Sequence, residues 1–194
     1  FSTGYSCVGS NAVLRESGRI SELLPDSRFS GVQIGVITYS FRDLEGGLEI
    51  ILKACVDAGI SSVELMGTGI ENYLGAPGNP VQRRPTPQHP LTDEEQRSIE
   101  HYMRKLKEWR NTRETLDAYA KLCKKFNDAG VSIHIYKWTA GSSEEELEYS
   151  FNVAKTLGAI GITAELNDEN ARLLGSVAER NGMYAIFHNH FQFA

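Results

Sequence analysis

From position 31 to 41 the chain reads "GVQIGVITYSF", an apolar, β-branched run that predicts a strand buried on both faces, as in parallel sheets. Behind it, Leu48, Ile51, Leu52, Cys55 and Val56 recur at helical spacing. Gly59 then offers the left-handed residue on which helices end. A strand, "ISSVELMG", follows at once. The same phrase returns three times: "LCKKFNDAG" runs into "VSIHIYKW", "FNVAKTLG" into "AIGITAEL", and "LGSVAERNG" into "MYAIFHNH". Each predicted helix ends on a glycine (Gly59, Gly130, Gly158, Gly182) and the next strand starts within about three residues, as short helix-to-strand loops require. Helix starts are marked as well. Thr92 with Glu95 and Ser142 with Glu145 fit reciprocal capping boxes, and Asn167 or Asp168 can cap the following helix.

The pattern is βαβαβαβαβ, and right-handed connections between such units give a parallel sheet with helices outside it. Two stretches depart from it. Residues 1–31 mix Ser, Gly and charge without period and predict a surface arm, with a short helix at "SGRISELL". An insertion at about 68–91, "TGIENYLGAPGNPVQRRPTPQHP", is rich in Gly and Pro and precedes a long helical stretch, 93–128, expected to break near "RNTR". At that end of an α/β sheet an insertion is either a lid or specificity loop, or a solvated surface loop. Its "GTGIEN" only partly matches GxGxxG and follows the second strand, so it carries no dinucleotide signal.

Five units can form an open doubly wound parallel sheet, or the first part of a (β/α)8 TIM barrel, which usually needs about 250 residues. The barrel is favoured. No phosphate-binding glycine turn follows the first strand, and the last strand runs to "FHNHFQFA" without a helix to cover it. Residues 32–194 are therefore expected to be an incomplete barrel of five units, whose exposed edges and apolar faces predict pairing with another copy.

Composition narrows the field. A net charge of -5 and no cluster of Lys/Arg with aromatics argue against nucleic acid. No run of about 18 apolar residues is present, so no membrane span is expected. Of Cys7, Cys55 and Cys123, the last two fall on apolar helix faces and read as small buried hydrophobes. The chain begins with Phe1 rather than Met, which leaves a periplasmic or secreted location and a cytoplasmic one both open.

Chemistry collects at the carboxyl ends of the strands, where α/β folds place reactive groups. Those ends carry Tyr39, Glu64, Lys137 with Trp138, Glu165, and the string His188, Asn189, His190. With a side-chain period of two, His188 and His190 share a face about 7 Å apart along the strand. They can ligate one divalent metal, or divide ligation from substrate binding, or form a hydrogen-bonded surface pair. Glu165 on the preceding strand tips the balance, since imidazole plus carboxylate suits Mn, Mg or Zn. Lys137 is either an electrophile for a substrate oxyanion or a snorkelling surface lysine. Glu64 is a substrate ligand or a polar strand end. Trp138 and Tyr39 either floor a sugar-sized pocket or pack in the core. His134, mid-strand, reads as a satisfied buried histidine, and His89 and His101 in and after the insertion have no assigned role.

Together, "GVQIGVITYSF", "ILKACVDAGISSVELMG", "FNVAKTLGAIGITAEL" and "YAIFHNHFQF" resemble the sugar phosphate isomerase/epimerase family, the xylose isomerase-like TIM barrels. The resemblance implies a barrel with a divalent metal (Mn, Mg, Zn or Co) at its C-terminal mouth and a proton shift next to a sugar carbonyl. It maps a metal-ligand role onto His188, where many such barrels have Glu. Histidine at that place is a poorer base for a C–H proton, so Glu165 becomes the candidate base or ligand, with Lys137 as the second catalytic group. His190, Asn189, Tyr39, Glu64 and Trp138 are left as sugar-binding candidates. Two other classes fit the same strand tips: a non-catalytic sugar- or metabolite-binding barrel, and a metal-dependent lyase or hydrolase.

Overall fold

The structure, a computed structural model, describes residues 24–67, 69–138, 141, 143–165 and 168–188. A small antiparallel hairpin pairs β1 (Arg28–Phe29) with β2 (Val32–Gln33). Its turn residues Ser30 and Gly31 both take positive φ, 48° and 84°, as a two-residue hairpin turn that matches strand twist requires. The main sheet follows, with β3 (Val36–Ile37), β4 (Ser62–Met66), β5 (Ser132–Lys137), β6 (Gly161–Glu165) and β7 (Tyr184–His188). The helices are α1 (Gly47–Asp57), α2 (Ile70–Tyr73), α3 (Asp93–Arg110), α4 (Arg113–Asp128), α5 (Glu144–Thr156) and α6 (Asp168–Asn181).

All neighbouring pairs in the main sheet are parallel, and the spatial order β3-β4-β5-β6-β7 is the order of the chain. A doubly wound sheet reverses direction at a switch point, whereas these strands are laid down in one direction. Right-handed crossovers then put every helix on one face. That face is the core: Leu52 and Cys55 of α1, Tyr119 and Phe126 of α4, Phe151 of α5 and Val177 of α6 pack with Val63, Leu65, Tyr136 and Ile162 of the strands. The fold is α/β, five consecutive units of a (β/α) barrel wall that does not close among the described residues.

The four helix-ending glycines behave as the pattern requires, with φ of 71° at Gly59, 78° at Gly130, 77° at Gly158 and 63° at Gly182. In each case the residue after the glycine donates its N–H to the carbonyl five positions earlier: Ile60 to Cys55, Val131 to Phe126, Ala159 to Ala154 and Met183 to Ala178. This bond closes the helix and aims the chain into the next strand. The stretch 93–128 is broken as expected, at Asn111 and Thr112, where the Thr112 hydroxyl accepts the Thr115 N–H. The Thr92–Glu95 capping box is present in both directions.

Three expectations need correction. "GVQIGVITYSF" is not one buried strand: its first part turns back into the hairpin, leaving Val32 60% and Ile34 44% exposed, and Thr38–Phe41 winds into a 3-10 turn. The change falls at Thr38, whose hydroxyl accepts the Met66 N–H at 2.9 Å, a side-chain bond replacing the next rung of the ladder. The second capping box is made by Ser143 and Glu146, one position later than 142 and 145; "SSEEE" offers both registers, and Ser142 lies outside the described residues. His134 is exposed rather than buried. Pairing between β4 and β5 slips by one residue there, from Val63↔Ile133 to Glu64↔Ile135, and His134 is the extra residue.

Cys55 and Cys123 are buried and unbridged, and burial pushes the Cys55 thiol up to about 11. Among the described residues no helix is long and apolar enough to cross a membrane. The short helix expected at "SGRISELL", most of which falls within residues 1–23, and the cap at Asn167 lie outside the described residues, as does Cys7.

Candidate functional site at the strand tips

Register and alternation sort the strand residues. Leu65, Tyr136, Ile162 and Ala185 line the helix side, and the residues between them point to the other, inner face. Reading across the sheet from its amino to its carboxyl ends, that face carries Glu64 beside Ile135, then Met66, Lys137, Thr163 and Ile186, and finally Glu165 beside His188. Polar groups thus increase toward the tips, where a barrel has its mouth.

The groups on this face touch one another. Lys137 Nζ donates to Glu165 Oε1 at 2.7 Å; the lysine side chain is 8% exposed and the glutamate 56%. One layer below, Thr163 Oγ1 donates to Glu64 Oε1 at 2.5 Å, so Glu64 reaches across β5 to β6. Glu165 and His188 are direct register partners on neighbouring strands, whose backbones run about 4.8 Å apart. Asn189 and His190 lie outside the described residues. Tyr39 stands apart on the 3-10 turn, 54% exposed, with the Arg42 guanidinium 4.8 Å from its ring. Trp138 is buried on the helix side, its indole N–H donating to Gly141 O at 2.8 Å.

A carboxylate, an imidazole and an ammonium on one row can bind an oxygen-rich ligand, hold a cation and move a proton. Glu165 and His188 offer one oxygen and one nitrogen donor, the chemistry that first-row divalent metals accept. Among the described residues no group of three or more His, Cys, Asp or Glu converges that could hold a metal ion.

A second polar cluster, absent from the sequence reading, backs this row from the helix side. Arg110, the last residue of α3, donates from Nε and an Nη to the two oxygens of Glu71 at 2.8 and 2.7 Å. Its guanidinium lies 5.2 Å from the Trp138 ring centroid and 5.3 Å from that of Tyr149, and its side chain is only 9% exposed. Tyr149 also donates to Glu71. Burial pulls the Arg110 pKa down, but the hydrogen bond and charge of Glu71 outweigh it and the net shift is upward. The Tyr119 and Tyr136 hydroxyls lie fully buried beside the cluster, and burial drives both up. Gly67 is forced here. A Cβ at this position would sit 2.6 Å from the Lys137 carbonyl, which accepts the Gly67 N–H at 2.8 Å. A groove of about 940 Å³ opens on the outer side of Arg110 and Tyr149, between α3, α4 and α5.

No protein-family model matches the chain, and no curated protein is significantly similar to it. Solved structures do match. An uncharacterised protein from Parabacteroides distasonis superposes with a TM-score of 0.51 at 19% identity, over 81% of this chain and 53% of that one. The probable 3-DHS dehydratase AsbF, involved in petrobactin synthesis in Bacillus anthracis, gives a TM-score of 0.46 at 12% identity, over 82% of this chain and 53% of the other. The likeness to the Parabacteroides protein is one of fold. The chain spans about half the length of the solved proteins it matches.

Proposed function

We propose that the inner-face row is the mouth of a divalent-metal-dependent isomerase or epimerase of sugars or sugar phosphates, which shifts a proton next to a carbonyl. The observation behind this reading is the pairing of Glu165 with His188 at the strand tips, with Lys137 Nζ at 2.7 Å from the same carboxylate. Glu165 and His188 would hold the ion, and further ligands would come from beyond the five described strands. Bound there, Mn, Mg, Zn or Co would polarise a carbonyl and its neighbouring hydroxyl. Glu165 would accept the proton from the carbon and return it to the adjacent one. Lys137 would donate to the oxygen on which negative charge grows, and Glu64, oriented by Thr163, would bind a hydroxyl deeper in the mouth. Asn189 and His190, one and two positions beyond His188, would complete the polar rim.

The test measures metal binding and proton exchange separately on the full protein. Mn²⁺ and Zn²⁺ titrations should show affinity falling roughly 10–100-fold or more in Glu165→Gln and His188→Ala. Incubation with a panel of aldoses, ketoses and their phosphates in D₂O should place deuterium next to the carbonyl, and Glu165→Gln should abolish it. Unchanged metal affinity in both variants, or no exchange with any sugar by metal-replete protein, would remove the reading.

A further inference from the structure

We infer that Arg110 is a positioning residue for the mouth, fixing the tip of β5 and thereby the direction in which Lys137 reaches Glu165, while fastening the insertion to the sheet. Three facts carry this. First, the guanidinium joins four separate pieces of chain: Glu71 of α2 holds it in a two-point fork, and it lies over the rings of Trp138 and Tyr149, which pack edge to face at 5.8 Å and meet it from one flank. A planar fork that also stacks on rings has only one place to sit, a restraint that a lysine at the same position would not reproduce.

Second, what Arg110 stacks on is the residue next to Lys137. Trp138 is tied to the sheet by its N–H to Thr163 O at 3.1 Å and to the following loop by its indole N–H to Gly141 O at 2.8 Å. The Lys137 carbonyl accepts from Gly67, the residue at which the insertion begins. Movement of the Trp138 ring therefore moves the peptide that orients Lys137. Third, the ion pair is nearly dry, 9% and 15% exposed at the two side chains. Removing one partner of such a pair takes from a buried charge its closest counter-charge; for Arg110 the next carboxylate, Glu146, stands at 4.0 Å. By contrast, the other tether of α2, in which Glu49 meets Lys125 and Tyr73, is on the surface.

The inference concerns the Lys137–Glu165 geometry and can be tested without metal or sugar, so its failure would leave the proposed reaction standing, and the reverse. Competitive labelling of lysines with acetic anhydride, read by peptide mass spectrometry, reports how freely each amine is exposed. In the folded wild type Lys137 should label far more slowly than the exposed Lys53. In Arg110→Lys and in Glu71→Gln, Lys137 labelling should rise roughly tenfold or more relative to Lys53, because local opening at the β5 tip becomes easier. In Glu49→Gln, which loosens α2 from its other side, Lys137 should keep its wild-type rate. Wild-type labelling of Lys137 in the folded Arg110→Lys and Glu71→Gln proteins overturns the inference, and so does an equal rise in Glu49→Gln. If Arg110→Lys does not fold, Glu71→Gln, which leaves the guanidinium against its two rings, decides by the same ratio.

Discussion

The two faces of the parallel sheet are built from the same five strands and differ in almost everything else. On the helix side, Val63, Leu65, Tyr136 and Ile162 are sealed beneath four helices. On the inner side, Glu64, Lys137, Thr163, Glu165 and His188 form a ladder of polar contacts that becomes more exposed toward the tips. The first face answers the question of how the chain folds, and apolar area decides it. The second stores polar groups where burial would cost several kcal/mol if they were unpaired, an expense that packing alone does not explain. Residues held against their solvation preference on a face that contributes little to the core are where a ligand is to be sought.

Mutations can break or sharpen this contrast. The largest effect should come from Phe126→Ala on the helix side, where the ring is fully buried; a loss of about 3–5 kcal/mol is expected in urea unfolding. A loss below about 1 kcal/mol would mean that the helix layer is not the core it looks to be. On the inner face, Glu165→Gln should cost less, about 1–3 kcal/mol in the same experiment, since the half-exposed carboxylate is solvent-screened and the amide still accepts from Lys137, although that nearly buried ammonium loses its counter-charge, while metal binding weakens sharply. Equal stability losses at the two sites would erase the distinction. The smallest effect belongs to neither face. In the insertion, the Arg83 side chain holds Glu95 in a two-point contact, with help from the Thr92 N–H, and lowers its pKa from the ordinary 4.5 to about 2. A carboxylate depressed in the folded state stabilises fully above its unfolded value, and that contribution fades as pH falls from 4.5 to about 2. A ¹³C NMR titration of the Glu95 carboxyl should therefore have its midpoint well below the ordinary 4.5. A midpoint at 4.5 would show the arm to be unclamped.

Much of this was legible in the sequence, for a local reason. A glycine that ends a helix and a strand two or three residues later are decided within one turn of chain, and Gly59, Gly130, Gly158 and Gly182 all obey. The polar strand tips could be named for the same reason, because alternation needs only the strand. Three things could not be read locally. The first strand is short because Thr38 bonds to Met66, 28 residues away. The exposure of His134 depends on a slip against a neighbouring strand. Glu71 and Arg110, 39 residues apart, lie in a Gly/Pro-rich insertion and at a charged helix end, where an ion pair buried among aromatic rings leaves no periodic trace. Two halves of one contact, each polar and unremarkable alone, acquire meaning only when the fold brings them together.

The one-residue slip at His134 also acts as a parity switch. Ile133 and Tyr136 are three apart, yet both lie on the helix side, because their partners Val63 and Leu65 do. Strict alternation from Ile133 would have sent Lys137 into the oily layer and Tyr136 into the mouth. The extra residue is what must be absorbed: paired without the slip, with His134 opposite Glu64, the strand would exchange the inside and outside of everything downstream to Lys137, and the ammonium beside Glu165 would be lost, whereas deleting position 134 outright would leave Tyr136 and Lys137 facing as they do.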